Sequence, residues 1–262
     1  MRLTSRCMDL LRLLRSARWL TSGQVHRRFF PQASMSAARR RLRKLATAGY
    51  VRKHQEDRTR EALFTLDREG ARAVEQSGGT AILLERKPPA QLDHFLAVNT
   101  IRIAAELSGS LSYFFAFWEL PAAGWRHSLI PDALFALGDR TFAVEFDAAS
   151  EGIRFFVRTK IKGYERGLPG FPLTAVLVVA DREARMAALM QRAADDRGQF
   201  LFTTIDEVRR RGILAPIYRR HPGDTCSLEV LRRENSFQEG NAVPSIGYEH
   251  FEGASSGGGG SD

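Results

Sequence analysis

The spacing of apolar residues predicts a helical N-terminal part that includes a strand hairpin. Residues three or four apart share a helix face, whereas alternate residues share a strand face. The elements predicted before residue 77 are helices over 4–18, 23–30, 35–48 and 68–76, and strands over 50–55 and 61–67. Pro31 and Gly49 mark the ends of the second and third helices. Three helices followed by a hairpin is the order of a winged helix-turn-helix domain.

Beyond residue 90 the pattern alternates between helices and short apolar strands. The predicted elements, in chain order, are helix 91–107, strands 112–119, 133–137 and 141–146, helix 153–166, strand 174–179, helix 182–194, strand 199–203 and helix 204–211. This mixed order favours an α/β domain with a central mixed sheet flanked by helices. The whole chain is therefore predicted to have an α+β fold with two domains.

Glycine and proline clusters indicate where one predicted domain ends and the next begins. Gly78-Gly79 and Lys87-Pro88-Pro89 lie between the two parts, and such clusters are typical of linkers. The predicted organisation is a domain over 1–76, a linker over 77–90, a second domain over 91–220 and a partly disordered C-terminal extension over 221–262.

The positive charge of the chain is concentrated in its first third. The chain has 39 Lys and Arg against 30 Asp and Glu, a net charge of +9. Residues 1–90 hold 20 cationic residues against 8 acidic ones, whereas residues 91–262 hold 19 against 22. This asymmetry is typical of a nucleic-acid-binding module joined to a nearly neutral domain.

The predicted third helix and the hairpin tip carry the candidate DNA contacts. In a winged helix-turn-helix the third helix enters the major groove of double-stranded DNA, where cationic side chains contact phosphates and base edges. The residues predicted to bind DNA are Arg39, Arg40, Arg41, Arg43 and Lys44 on the helix, with Arg58 and Arg60 at the tip of the wing. The alternatives are a solvated basic helix and a winged helix that binds protein.

Three carboxylates on two neighbouring strands form the candidate chemical site. Glu145 and Asp147 are two residues apart on one strand and so share a face, and Asp132 lies at the head of the preceding strand. Carboxylates that converge from an apolar sheet need a compensating charge. Mg²⁺ or Mn²⁺ held by such oxygens is a common means of cutting phosphodiesters. The alternative is a solvated edge strand preceded by a turn acid.

Missing motifs exclude several classes of protein. Cys7 and Cys226 are too few and too far apart for a disulfide framework or a zinc site, which favours a cytoplasmic protein. The chain has no signal-peptide core and no apolar run of membrane-spanning length, so no membrane association is expected. ATP-binding and Ser-hydrolase motifs are also missing. A covalent role for a single tyrosine, Tyr164 or Tyr218, stays open.

The strand carboxylates resemble the PD-(D/E)XK nuclease signature. Asp132 follows Pro131 as in that signature, and Glu145 occupies the place of its second acid. The signature has a lysine two residues later, where this chain has Asp147. Lysines occur instead on the following helix, a displacement that is known within this fold. The resemblance implies a nuclease-like domain with Asp132, Glu145 and Asp147 as metal ligands.

Helical geometry separates the two lysines of that following helix. Lys160 and Tyr164 are four residues apart and share a helix face, whereas Lys162 points about 200° away from Lys160. We therefore predict that Lys160 joins Asp132, Glu145 and Asp147 as a catalytic residue. The alternative is a surface lysine paired with a nearby acid.

The overall layout resembles the replication-relaxation family of plasmid and mobile-element proteins, which combines a winged helix with a nuclease-like domain. The resemblance covers roughly residues 5–220. The residues that carry it are the Ile130-Pro131-Asp132-Ala133 strand, Glu145-Phe146-Asp147 with Glu151, the helix bearing Lys160 and Tyr164, and His94 with Asn99. It implies a role in plasmid replication, DNA relaxation or transfer, with partner proteins of such a complex.

Three functions stay open at the level of sequence. The first is a DNA-binding protein whose second domain nicks or cleaves DNA with Mg²⁺ or Mn²⁺. The second is an inactive accessory protein that uses the second domain to bind partners. The third is a transcriptional regulator whose second domain dimerises or binds an effector.

Overall fold

The protein has two compact units, each containing helices and a β-sheet. The computed structural model describes residues 2–55, 59, 61–78, 84–149, 151–166, 168, 172–193, 199–220 and 224–230. The units divide within one helix, so that Asn99 belongs to unit 1 and Thr100 to unit 2. The fold is therefore α+β. None of the helices in the described part of the chain is long and apolar enough to cross a membrane.

Unit 1 consists of short helices around a small sheet. Its elements are α1 (Ser5–Ala17), β1 (Leu20–Thr21), α2 (Ser22–Phe29), α3 (Met35–Thr47), β2 (Val51–His54), β3 (Leu63–Leu66), α4 (Arg68–Gln76) and the first half of α5 (Leu92–Glu106). The sheet is antiparallel, with the strand order β1-β3-β2. Strand β1, which has only two residues, was not predicted from the sequence, because it is too short to show an alternating pattern.

Local sequence explains where the helices of unit 1 begin and how they pack. Thr21 and Gln24 form a reciprocal capping box at the start of α2. On α3, Leu42 and Leu45 are fully buried and fix which face of the helix points outward. Gly70 permits close packing of α4, because a Cβ at this position would lie 2.0 Å from the carbonyl oxygen of Tyr50.

Unit 2 is built on a seven-stranded mixed sheet. Its elements after α5 are β4 (Leu111–Ala116), β5 (Ala133–Leu137), β6 (Arg140–Asp147), α6 (Ile153–Phe156), a π-helical turn (Val157–Ile161), α7 (Lys162–Glu165), β7 (Ala175–Ala180), α8 (Glu183–Arg192), β8 (Phe200–Thr204), α9 (Ile205–Arg211), β9 (Tyr218–Arg219) and β10 (Thr225–Cys226). The strand order is β10-β9-β8-β7-β6-β5-β4. Strands β6, β7 and β8 are parallel, and the other pairs are antiparallel.

One face of this sheet forms a hydrophobic core with the following helices. Small and aromatic side chains of the central strands pack against Tyr164, Met186 and Leu189, which come from α7 and α8. The segment from α6 to α7, here called the composite helix (residues 153–165), therefore lies on the same sheet face as Ala143 of β6. Because side chains alternate along a strand, Glu145 also points toward this face.

Two expectations about unit 2 need correction. The sequence pattern predicts one continuous helix over 153–166, whereas the structure has a π-helical turn within this segment. The sequence carries no clear signal for that turn. The alternative of a solvated edge strand for Glu145 and Asp147 is wrong, because β6 lies between β5 and β7 and both carboxylates are buried.

The strands β9 and β10 were not predicted. Arg58, Arg60 and residues 231–262 of the predicted C-terminal extension lie outside the described residues.

Candidate functional site

Glu145 lies at the centre of a buried polar cluster in unit 2. Its side chain is 1% exposed. The hydroxyl of Tyr164 donates a hydrogen bond of 2.6 Å to Glu145 Oε1. The ammonium group of Lys160 forms an ion pair with Glu145 Oε2 at 2.8 Å and donates a hydrogen bond of 3.1 Å to the carbonyl oxygen of Ile130. The composite helix thus supplies both partners of this carboxyl group.

Asp132 is held beside this cluster by the backbone of β6. Its amide donates a 2.9 Å hydrogen bond to the carbonyl of Val144, and its Oδ2 accepts a 2.7 Å hydrogen bond from the amide of Phe146. Val144 and Phe146 are the neighbours of Glu145 on β6, so Asp132 is bonded to the backbone on both sides of Glu145. As a result, the charge of Asp132 acts on Glu145, Lys160 and Tyr164 alike.

Burial and neighbouring charges set the pKa values of Glu145 and Lys160 in different ways. Burial and the neighbouring charge of Asp132 raise the pKa of Glu145 to about 8, although Lys160 and Tyr164 act in the opposite direction. Burial alone would lower the pKa of Lys160, but Glu145 and Asp132 outweigh it and raise that pKa above its usual value. Lys160 is therefore kept cationic by its acidic neighbours, whereas burial favours the protonated form of Glu145.

Asp147 is directed to a different partner from Glu145. The guanidinium of Arg185, on α8, binds both carboxylate oxygens of Asp147 at 2.8 and 3.2 Å. Asp147 Oδ1 also accepts a 2.7 Å hydrogen bond from the amide of Ala149. Asp147 is 4% exposed and the Arg185 side chain is 10% exposed. Asp147 is thus already neutralised by a bidentate ion pair, which explains its burial without a metal ion.

The three predicted metal ligands are not brought together as one group. In the part of the chain that the structure describes, no three His, Cys, Asp or Glu residues are grouped to hold a metal ion. Asp132 and Glu145 nevertheless fit a hard cation, because Mg²⁺ often uses one or two carboxylates and takes its other ligands from water and phosphate. Glu145 Oε2 is buried and has an ion-pair contact but no aligned hydrogen-bond donor.

The two lysines of the composite helix have separate partners. Lys160 reaches Glu145, whereas Lys162 forms a surface ion pair with Glu165 at 2.9 Å. The Lys160 side chain is 27% exposed, so its ammonium group links the buried carboxyl to the surface. Asp147 stands two residues after Glu145 in the sequence, and Lys160 is the lysine that contacts Glu145 in the structure.

The two tyrosines considered as covalent nucleophiles are both buried. Tyr164 is 1% exposed, and its hydroxyl donates a hydrogen bond to Glu145. Tyr218 is fully buried, and its hydroxyl donates a 2.9 Å hydrogen bond to the carbonyl of Ile213. Burial raises the pKa of both phenols well above their usual value. Neither group is placed to attack a phosphodiester from the surface.

In unit 1, α3 exposes most of its cationic residues. The buried side chains Ala38, Leu42 and Leu45 define the inner face of the helix, and α3 contains no acidic residue. The exposed cations are Arg39, Arg40, Arg43 and Lys44. These four side chains form a strip of positive charge along one face of the helix.

Arg41 differs from the other cations of α3. Its guanidinium donates hydrogen bonds of 3.1 and 2.8 Å to the sulfur of Cys7, which is buried on α1. Burial raises the pKa of the Cys7 thiol, but hydrogen bonds from Thr4 and Arg41 outweigh it and lower that pKa overall. Arg41 therefore attaches α3 to α1, although the sequence pattern placed it with the DNA contacts.

Other residues with structural roles could not be recognised from sequence alone. Asn99, a residue of the family resemblance, is fully buried and donates hydrogen bonds to the carbonyls of Ala17 and Trp19 at 2.9 and 2.8 Å. Arg185 has no motif around it. A buried Asp147 requires a nearby cation, which is an indirect indication that such a residue exists. Only the fold shows that this cation is Arg185.

Comparison with known proteins identifies a family. The family model described as replication-relaxation matches residues 11–168, which is more than half of the chain. The match includes α3 and all four residues of the Glu145 cluster, Asp132, Glu145, Lys160 and Tyr164. No curated protein and no solved structure matches the chain significantly. On the strength of the family match, the chain belongs to the replication-relaxation family.

Proposed function

We propose that this protein binds double-stranded DNA through unit 1 and nicks or cleaves DNA with the Glu145 cluster of unit 2. Its role would be in the replication, relaxation or transfer of a plasmid or mobile element. Family membership supports the biological role. The observation that carries the chemistry is the 2.8 Å contact between Lys160 and Glu145 beside Asp132, which assembles two acids and a lysine at one point.

Unit 1 would act as a winged helix-turn-helix domain. Its order of α1, β1, α2, α3 and the β2–β3 hairpin supports this assignment. Helix α3 would enter the major groove, with Arg39, Arg40, Arg43 and Lys44 facing phosphates and base edges. Their exposure favours this role, because such cations can bind phosphates without breaking an internal contact. Arg58 and Arg60 would contact the backbone from the wing.

Each residue of the Glu145 cluster has a distinct part in the proposed chemistry. Asp132 and Glu145 would hold Mg²⁺ or Mn²⁺, which would supply a Lewis acid at the scissile phosphate. Lys160 would offset the negative charge of the phosphate, since its ammonium group reaches the surface of unit 2. Tyr164 fixes the orientation of the Glu145 carboxyl through its hydrogen bond. The ion pair between Asp147 and Arg185 would hold the end of β6 against α8 and so keep the site strand in place.

Nicking of supercoiled plasmid DNA tests this proposal. The full-length protein is incubated with plasmid and with Mg²⁺ or Mn²⁺, and open-circular product is measured. We expect Asp132→Asn, Glu145→Gln and Lys160→Met to lower the nicking rate at least tenfold while DNA binding is retained. Glu165→Gln, which alters a surface ion pair on the same composite helix, is the matched control. Equal nicking by all variants would contradict the assignment.

A second candidate is an accessory protein or transcriptional regulator without nuclease activity. The ion pair between Asp147 and Arg185 favours it, because a carboxylate on the site strand is already neutralised. In that case the wild type would bind DNA but would not nick it with either metal. Protection of a specific DNA site, such as the promoter of its own gene, would then support the regulator.

A further inference from the structure

The composite helix, which carries Lys160 and Tyr164 of the Glu145 cluster, also carries an exposed aromatic ring. Phe155 is 46% exposed and is the aromatic residue among the large apolar side chains exposed in the described part of the chain. The guanidinium carbon of Arg158 lies 5.8 Å from the centre of the Phe155 ring. Its neighbour Phe156 is buried, so the helix is already anchored in the core without Phe155.

The surface around Phe155 is strongly cationic in an otherwise acidic part of the chain. Residues 91–262 hold fewer cationic than acidic residues, 19 against 22. The composite helix reverses this balance, with Arg154, Arg158, Lys160 and Lys162 against Glu165 alone. Arg154, Arg158 and Lys162 are exposed. Because Lys160 pairs with Glu145 and Lys162 with Glu165, the cations next to Phe155 that are suited to a polyanion are Arg154 and Arg158.

The same helix connects this surface with the candidate chemistry. Lys160 follows Arg158 by two residues within the π-helical turn and contacts Glu145. It also donates a hydrogen bond to the carbonyl of Ile130, whose apolar side chain is 44% exposed. π-Helical turns within α-helices are frequent at functional sites. A ligand bound on Phe155 and Arg158 would therefore lie along the helix that carries Lys160.

We propose that Phe155, Arg154 and Arg158 form a binding site for single-stranded DNA, which leads an unpaired strand to the Glu145 cluster. In a duplex, base faces are covered by their stacked neighbours, and inserting a ring between them costs the energy of unstacking, so an exposed ring stacks most readily on an unpaired base. Phe155 stacks on that base, and the arginines bind the flanking phosphates. This inference rests on the proposed function, and it specifies the form of DNA that unit 2 takes.

Fluorescence anisotropy with the full-length protein tests the site. One labelled oligonucleotide is used both as a single strand and in a duplex of the same sequence. Phe155→Ala lowers affinity for the single strand about tenfold, within the range of base–aromatic stacking, and leaves duplex affinity unchanged. Phe155→Trp keeps single-strand affinity. The matched control is Leu107→Ala, because Leu107 is also 46% exposed. A 2-aminopurine base in the strand reports stacking directly.

The arginines are tested by the salt dependence of the same binding. Arg154→Ala with Arg158→Ala weakens single-strand binding and reduces the slope of log affinity against log salt by about 1.4, or 0.7 per phosphate contact. The control is the double variant Arg192→Ala with Arg209→Ala, which removes two exposed arginines elsewhere in unit 2. It leaves the slope unchanged.

Three outcomes overturn the inference. They are unchanged single-strand affinity in Phe155→Ala, an equal loss for the duplex and the single strand, and a change only in self-association measured by sedimentation.

Failure of the proposed function has a different signature. If the wild type does not nick plasmid, or if changes on α3 leave duplex binding intact, the proposed function fails, while a Phe155-dependent loss of single-strand binding still supports this site.

Discussion

The two units of the protein hold their charges in opposite ways. On α3 of unit 1, four cationic side chains are exposed along a helix that contains no acid. In unit 2, Glu145 and Asp147 are buried within the sheet and are paired with Lys160 and Arg185. Helix α3 of unit 1 thus presents its charges to solvent, whereas strand β6 of unit 2 holds its carboxylates in the interior.

This difference shows which charges are available for binding and which are needed for structure. An exposed cation contributes little to folding and can exchange water and counterions for phosphates. A buried carboxylate is costly unless a partner compensates it, and the loss of that partner destabilises the fold. Within unit 2, Asp147 has a full bidentate partner, whereas Glu145 has a raised pKa and an oxygen without an aligned donor. For this reason our proposal places the added cation at Glu145 and not at Asp147.

The largest effect is expected from removing the partner of Asp147. Arg185→Ala leaves a buried carboxylate without its cation and should lower the free energy of unfolding by about 3–5 kcal/mol. Urea denaturation followed by circular dichroism measures this change. The matched control is Arg182→Ala, because the Arg182 side chain is 63% exposed and pairs with Asp181 at the surface. Its expected loss is within about 0.5 kcal/mol. Equal losses in both variants would remove the distinction between enclosed and exposed pairs.

A smaller, pH-dependent effect is expected at Glu145. Its pKa is raised from 4.5 to about 8, so the folded protein keeps a proton that the unfolded chain releases between these values. The free energy of unfolding of the wild type therefore falls as pH rises from about 5 to 8. Glu145→Gln cannot titrate and should gain stability relative to the wild type over this range, on the order of 2–4 kcal/mol.

Denaturation in the presence of EDTA, at several pH values, checks this prediction. EDTA removes any cation that would ionise Glu145 and hide the effect. Glu165→Gln is the control, since Glu165 forms only a surface ion pair with Lys162. A difference between Glu145→Gln and the wild type that stays constant from pH 5 to 8 would show that Glu145 is ionised throughout.

The smallest effect on free energy is expected on α3, where charges are exposed. Arg39→Ala with Arg40→Ala should weaken duplex binding about tenfold and reduce the slope of log affinity against log salt by about 1.8, or 0.9 per phosphate contact. Stability should change little. Arg12→Ala with Arg72→Ala, two exposed arginines on α1 and α4, is the matched control. An equal loss of affinity in the control pair would mean that binding follows net charge and not the face of α3.

Much of the fold could be predicted from sequence, because most elements have a clear apolar period. The observed α1–α4 and β5–β8 agree with the predicted elements to within three residues at each end. Strands β1, β9 and β10 were missed because two residues cannot show alternation. The π-helical turn was missed because its residues have ordinary helical composition.

The candidate site could be predicted only where local geometry determines it. The choice of Lys160 over Lys162 followed from their separation on a helix, and the structure gives the two lysines different partners. The separation of Asp147 from Glu145 depends on Arg185, which is far away in sequence and carries no motif. The same holds for Arg41, whose contact with Cys7 depends on how α3 packs on α1.

Binding of Mn²⁺ is the most direct test of the proposal that Asp132 and Glu145 of unit 2 hold a divalent cation. Electron paramagnetic resonance of the full-length protein at neutral pH measures the free and bound metal. We predict one bound Mn²⁺ per chain, at least tenfold weaker binding in Glu145→Gln and Asp132→Asn, and unchanged binding in Glu165→Gln. Equal Mn²⁺ binding by the wild type and the Glu145→Gln variant, or none by the wild type, would contradict the account.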